Sequence, residues 1–202
     1  RCQMDLKLAG LKLHLANSAA DLRNTDHVRS LKALFRLLNA AEFPVLAHIR
    51  TRNPDYGAED VRIFIDEILS QAPDIGVQIA HMAGWGGFDP ATDAAMNEFL
   101  AAFADGRVDA SRVQFDLAAV VFDPEHPDAI AEAEATPEQI RLGNQRLSEV
   151  IGRLAPDQVL FASDWSGWPP YVEVPDQIKA YAESLSRLLS LSPERLEQLM
   201  AA

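Results

Sequence analysis

Five short apolar runs divide the chain: LAGLKLH (8–14), FPVLAHI (43–49), IGVQIAH (75–81), RVQFDLA (112–118) and QVLFAS (158–163). Each is strand-length and bounded by turn-forming residues, which predicts β-strands. Between them the apolar period lengthens. Val28, Leu31, Leu34, Phe35 and Leu38 recur at steps of three and four within 26–41. Val61, Phe64, Ile65, Ile68 and Leu69 do so within 58–70, and Ile178, Tyr181, Leu185, Leu188 and Leu189 form another stripe. One-sided stripes predict amphipathic helices packed on a core. Thr136-Pro137-Glu138-Gln139 predicts a capping box with proline at the first helical position, and Ser192-Pro193 predicts a similar start. Residues 89–104 read as a less regular helix. Strand–helix–strand units of roughly 30 residues predict an α/β fold with a parallel sheet. No linker interrupts the pattern, so residues 1–202 are expected to form one domain. The longest irregular stretch, AVVFDPEHPDAIAEAEA (119–135), is acidic and broken by proline. It reads either as a lid over a site or as a solvated insertion.

Three runs close on a residue that can bind metal: His48 after PVLA, His81 after VQIA and Asp164 after VLFAS. In a parallel α/β barrel all strand ends lie on one face, so residues far apart in sequence meet there. Two imidazoles and a carboxylate suit zinc, or another borderline divalent ion such as manganese. A single histidine at a strand end would more often be a core residue; three matching positions carry the reading.

Lys12 and His14 alternate along the first strand and share a side, provided that the strand reaches His14. A lysine facing a barrel interior needs a carboxylate, a metal-bridging modification or an anion. Otherwise His14 belongs to the following loop and Lys12 pairs with an acid. Arg50 and Arg52 follow His48 by two and four residues. They could clamp a substrate carboxylate, or bind acids of the same surface. His27 and His126 read as solvated. Trp85, Trp165 and Trp168 follow strand ends and read as pocket walls or as rim packing. The glycines of AGWGG (83–87) would let backbone approach a ligand closely. No G-x-S-x-G elbow, Walker-type phosphate loop or dinucleotide fingerprint is present.

Composition narrows the partners. Thirty acidic residues against 18 basic give a net charge of −12, so neither nucleic acid nor an anionic membrane is expected. A small-molecule substrate is. The single cysteine, Cys2, permits no internal disulfide, which fits a cytoplasmic location. No apolar run reaches membrane-spanning length, and no signal peptide is recognisable. The chain opens without methionine and runs directly into an apolar segment.

GLKLH, PVLAHIR, VQIAHMAGWGG and LFASDW together resemble successive strand-end motifs of the amidohydrolase superfamily, in the branch that contains decarboxylases and lactonases. The resemblance covers nearly the whole chain and implies a distorted (β/α)8 barrel holding one or two divalent metals. By position, His48 resembles the fifth-strand metal ligand. His81 resembles the sixth-strand histidine, which binds metal or shuttles a proton. Asp164 resembles the eighth-strand aspartate, which binds metal and takes a proton from the attacking water. Lys12 lies near the place of a carboxylated, metal-bridging lysine on strand four. The family's first-strand H-x-H has no counterpart here. The chain is therefore expected to hold about five βα units, an incomplete barrel lacking three units, against about 250 residues for a whole one. LEQLMAA resembles the start of the family's closing helix, so both ends look cropped. Five strands leave two sheet edges that a second copy of the chain could cover.

The resemblance implies a metal-dependent hydrolase of a small carboxylate-bearing amide, ester or lactone. Asp164 and His81 would be catalytic; His48, His81, Asp164 and Lys12 would hold metal; Arg50, Arg52, Trp85 and Trp165 would bind substrate. A non-oxidative decarboxylase is the alternative enzyme, and a catalytically inactive interaction domain is the alternative outside enzymes.

Overall fold

Alternation of apolar and polar residues along the strands becomes two faces of one sheet. The computed structural model describes residues 7–162 and 174–201. The strands are β1 (Leu11–His14), β2 (Val45–His48), β3 (Val77–Ile79), β4 (Val113–Asp116) and β5 (Val159–Leu160). All neighbours are parallel and the order is sequential, β1-β2-β3-β4-β5. A parallel sheet in chain order needs one crossover after another in the same sense, which is how a barrel wall is wound.

The register aligns side chains in rows. Leu13, Ala47, Ile79, Phe115 and Val159 stand side by side, as do Leu11, Val45, Val77 and Val113. Seven of these nine are in the buried core, and Leu11 and Leu13 pack at its margin. The opposite face carries Lys12, Leu46, Gln78 and Gln114 in one row, all exposed or half-buried. The core therefore lies between one sheet face and the helices.

Among the described residues, seven α-helices follow the strands. α1 is Thr25–Ala40, α2 Ala58–Ile63, α3 Pro90–Ala104, α4 Pro127–Ala133, α5 Pro137–Ile151, α6 Val174–Leu189 and α7 Pro193–Ala201. Capping explains several starts. The Asn24 side chain accepts from the N–H groups of Asp26 and His27. Asp89 accepts from Thr92 N–H at 2.7 Å, ahead of a proline at the first position. Thr136 and Gln139 form the expected capping box. The helix expected across 58–70 changes pitch: α2 passes into a π segment, Phe64–Ile68, and a 3₁₀ turn, Leu69–Gln71. Within the wider π turn Phe64, Ile65 and Ile68 are almost completely buried. Phe64 meets Phe35 of α1 edge-on, with centroids 5.8 Å apart, and Phe99 of α3 meets Phe115 of β4 at 5.1 Å. The stretch 119–135 is not wholly irregular, since it contains α4. Among the described residues no helix is long and apolar enough to cross a membrane.

Candidate metal and substrate site

The strand ends gather three imidazoles. His14 and His48 are register partners at the ends of β1 and β2. Their rings stack, with centroids 3.9 Å apart and planes 13° from parallel. The His48 ring meets His81 edge-on at 5.1 Å. Trp85 packs its edge on both, at 5.1 Å from His48 and 5.8 Å from His14, and is half exposed itself. His14 is thus the last residue of the strand and not part of the loop. Its Nδ1 accepts the Asn17 backbone N–H at 3.3 Å. Lys12 lies two register pairs earlier, level with Leu46 and exposed.

His48 is 2% exposed, and both of its ring nitrogens are buried without a hydrogen-bond partner among the described residues. Burial, then the neighbouring charges of His14, His81, Lys12 and Arg50, push its pKa down to about 3. At neutral pH the ring is therefore uncharged and offers a lone pair. An unsatisfied buried polar group is uncommon and calls for a reason.

His81 lies just beyond β3, in a turn of unusual handedness. His81, Met82 and Ala83 have φ of 54°, 50° and 64°, left-handed values at three consecutive non-glycine residues. Such values disfavour L-residues by about 1–2 kcal/mol each. Several bonds hold the turn. Gly84 N–H donates to the His81 carbonyl at 2.7 Å, and Tyr56 hydroxyl to the Ala83 carbonyl at 2.8 Å. Burial pushes the Tyr56 hydroxyl pKa well above its ordinary value, so it stays a donor. Asp116 Oδ1, at the end of β4, accepts the His81 backbone N–H at 2.9 Å. The His81 ring sits 2.8 Å from the Ala118 carbonyl through Nδ1. A carbonyl can only accept, so Nδ1 carries the proton, and in the neutral ring the lone pair is on Nε2.

Of the glycines of AGWGG, Gly84 serves the protein's own packing. A Cβ on Gly84 would lie 2.5 Å from Thr92 Oγ1, so it is the start of α3 that approaches the backbone here. Gly86 and Gly87 take left-handed φ of 72° and 81°.

Arg50 turns toward α3. It donates to Asp89 Oδ2 at 2.8 Å and to Thr92 Oγ1 at 3.3 Å, and lies 5.6 Å from the centre of the Tyr56 ring. Burial draws the Asp89 carboxyl upward, but the bonds from Arg50 and Thr92 outweigh it and hold the pKa below the ordinary value. Arg52 is exposed. His27, expected to be solvated, is half-buried and its Nδ1 accepts the Asp21 N–H at 3.0 Å; His126 is exposed. Asp164, Trp165 and Trp168 lie outside the described residues.

Beside the imidazoles opens a cavity of about 540 Å³. Trp85, Phe88, Val120, Phe122 and Leu142 give it apolar walls, and Arg50 and Arg146 lie on its rim. Both arginines are matched by acids, Arg50 by Asp89 and Arg146 by Asp93 at 3.1 Å. Asn144, from α5, donates to the Phe122 carbonyl at 2.9 Å, which leaves its Oδ1 to accept.

Two imidazoles, one orphaned and one with its lone pair fixed, suit a borderline divalent ion. Among the described residues no group of three or more histidine, cysteine or acidic side chains is arranged to hold one. His48 and His81 are therefore part of a ligand set at most.

A family model described as amidohydrolase matches residues 1–201. Two solved structures align with this fold, both of an amidohydrolase from Burkholderia multivorans, one with bound zinc and one with bound HEPES. Each is 17% identical with a TM-score of 0.55, over 96% of this chain and 61% or 62% of the other. The chain thus spans about three fifths of the length of the structures it matches, and the likeness at this identity establishes the fold as part of a barrel wall. No curated protein matches the chain.

Proposed function

Because the chain belongs to the amidohydrolase family, we propose that the whole protein is a metal-dependent hydrolase of a small carboxylate-bearing amide, ester or lactone. The observation that supports this most is His48, an imidazole buried with both nitrogens unpartnered among the described residues, beside His81, whose Nδ1 is taken by the Ala118 carbonyl. His48, His81 and Asp164 would hold one divalent ion, with zinc as the first candidate and manganese as the second. When bound, such an ion polarises a carbonyl and lowers the pKa of its water toward ~7.

The protein's own residues supply the rest. Asp164 accepts the proton of the attacking water. Trp85 covers the imidazoles from one side and directs the carbon skeleton of the substrate toward the cavity behind it. Arg50 is already neutralised by Asp89, so it helps shape that cavity more than it holds an anion. Among the described residues near the strand ends, Lys12 and Arg52, both exposed, are cations placed to meet a substrate carboxylate. Lys12 stands on the same sheet face as His14 and His48, two residues back from the strand end.

Metal analysis of the full-length protein tests the reading. The expected result is stoichiometric zinc or manganese, lost in His48→Ala and His81→Ala, with hydrolysis of simple lactones and esters lost in parallel. Metal-free protein under saturating zinc overturns it in favour of an inert domain, and carbon dioxide release without hydrolysis overturns it in favour of a decarboxylase.

A further inference from the structure

Asp116 was read from the sequence only as part of the strand RVQFDLA, and the site described above gives it no chemical task. Its carboxylate is 3% exposed. Oδ2 accepts the Gln78 amide at 2.8 Å; Oδ1 accepts the backbone N–H groups of His81 at 2.9 Å and Ala118 at 3.3 Å. Its ion-pair neighbour among the described residues is His81, with Nδ1 4.0 Å away. A buried carboxylate without a lysine or arginine is costly unless its lone pairs are filled. Here they are filled by the strand before His81, by His81 itself and by the residue whose carbonyl holds the His81 ring.

We propose that Asp116 is a positioning residue, which holds the left-handed turn at His81 and, through Ala118, fixes the neutral His81 ring as the Nδ1–H tautomer, so that Nε2 keeps the lone pair. Two bonds from one carboxylate join the two halves of the device. The bond to the His81 N–H sets the backbone at the first left-handed residue. The bond to the Ala118 N–H sets the short segment whose carbonyl takes the Nδ1 proton. A strained turn persists only where the surroundings over-determine it. Of the bonds that hold this turn, those of Gly84 and Tyr56 act on backbone alone; the carboxylate also reaches the ring's partner. A partner on the far nitrogen that fixes ring orientation typically raises metal affinity about 10- to 100-fold. What Nε2 is used for rests on the zinc reading above; how it is set does not.

The experiment separates the two. Long-range ¹H–¹⁵N correlation spectra of the metal-free full chain report the His81 tautomer directly, and chelator competition reports zinc affinity. In the native protein His81 gives the Nδ1–H pattern. In Asp116→Asn it becomes a mixture of tautomers, and zinc binds about 10- to 100-fold more weakly. Gln78→Ala, which frees the other carboxylate oxygen, shifts both readings the same way by less, and decides the matter if Asp116→Asn does not fold. An Nδ1–H tautomer that survives in the folded variants overturns the assignment, even if zinc binding falls. A tautomer that changes in a protein with no zinc affinity upholds the role of Asp116 and sinks the metal reading alone.

Discussion

The imidazoles of His14 and His48 lie face to face at 3.9 Å because parallel register places the ends of β1 and β2 side by side. Stacking spends one face of each ring. It leaves the His48 nitrogens to its edges, where no described residue meets them. A ring held so firmly, with neither nitrogen satisfied, is arranged for something other than stability.

That arrangement has a measurable cost. Removing a buried polar group that has no partner is nearly neutral or stabilising when the shape is kept. His48→Leu is therefore expected to leave the melting temperature of the metal-free protein unchanged or higher. In the same variant the rise in melting temperature on adding zinc disappears. Calorimetry with and without zinc checks both; a clear loss of stability in the metal-free variant contradicts the orphaned state of the ring.

Gly84 is required by a close approach. Its added Cβ would meet Thr92 Oγ1 at 2.5 Å and Cγ2 at 2.8 Å, and both belong to a side chain tied to Asp89. Gly84→Ala is expected to destabilise by about 1–3 kcal/mol, the usual range for overpacking. Urea denaturation measures it. Thr92→Ser in the same chain removes one of the two clashes and restores part of the loss.

The Arg50–Asp89 pair predicts a dependence on pH. The folded-state pKa of Asp89 is below its ordinary value of 3.8. A depressed carboxylate contributes stability above the unfolded pKa and loses it as pH falls through the folded one. Arg50→Gln therefore lowers stability at pH 7, by at most about 1 kcal/mol for so exposed a pair, and the difference from the native protein closes as pH drops below that of an ordinary carboxylate. Melting curves from pH 7 to pH 3 show whether the two profiles converge.

Phe115 joins the sheet to α3 through Phe99 and is fully buried. Phe115→Ala removes a ring between two layers and is expected to destabilise by about 3–5 kcal/mol. The midpoint of urea unfolding gives the value. A loss under 1 kcal/mol would mean that the sheet and α3 do not share one core.

Much of this layout was legible because it is local. Strand parity, helical stripes and caps act over a few residues, so β2, β3, α1 and the Thr136 capping box follow from composition and spacing. His48 and His81 were legible as strand ends. The fate of His14 was not, because a difference of one residue in where β1 stops decides between strand and loop. Asp116 was hidden inside an apolar run, although its place one residue beyond Phe115 matches that of His48 beyond Ala47. Arg50 reads either as a substrate clamp or as the partner of a surface acid until Asp89, 39 residues on, is brought beside it. AGWGG suggested a ligand approach; Gly84 answers a threonine of the same chain, while Gly86 and Gly87 line the cavity. The turn at His81–Ala83 gave no warning, since none of its three residues is glycine, asparagine or aspartate.

That turn restricts which sequences can occupy it. With the direction of His81 set by the hand of the backbone, selection at positions 82 and 83 acts on torsion as well as on size. Valine, isoleucine and threonine fit the left-handed region worst of all residues. A library randomised at these two sites and sorted for folded, zinc-responsive protein would return small or unbranched side chains, with glycine tolerated and the β-branched group missing, although both sites are fully buried and otherwise suit them.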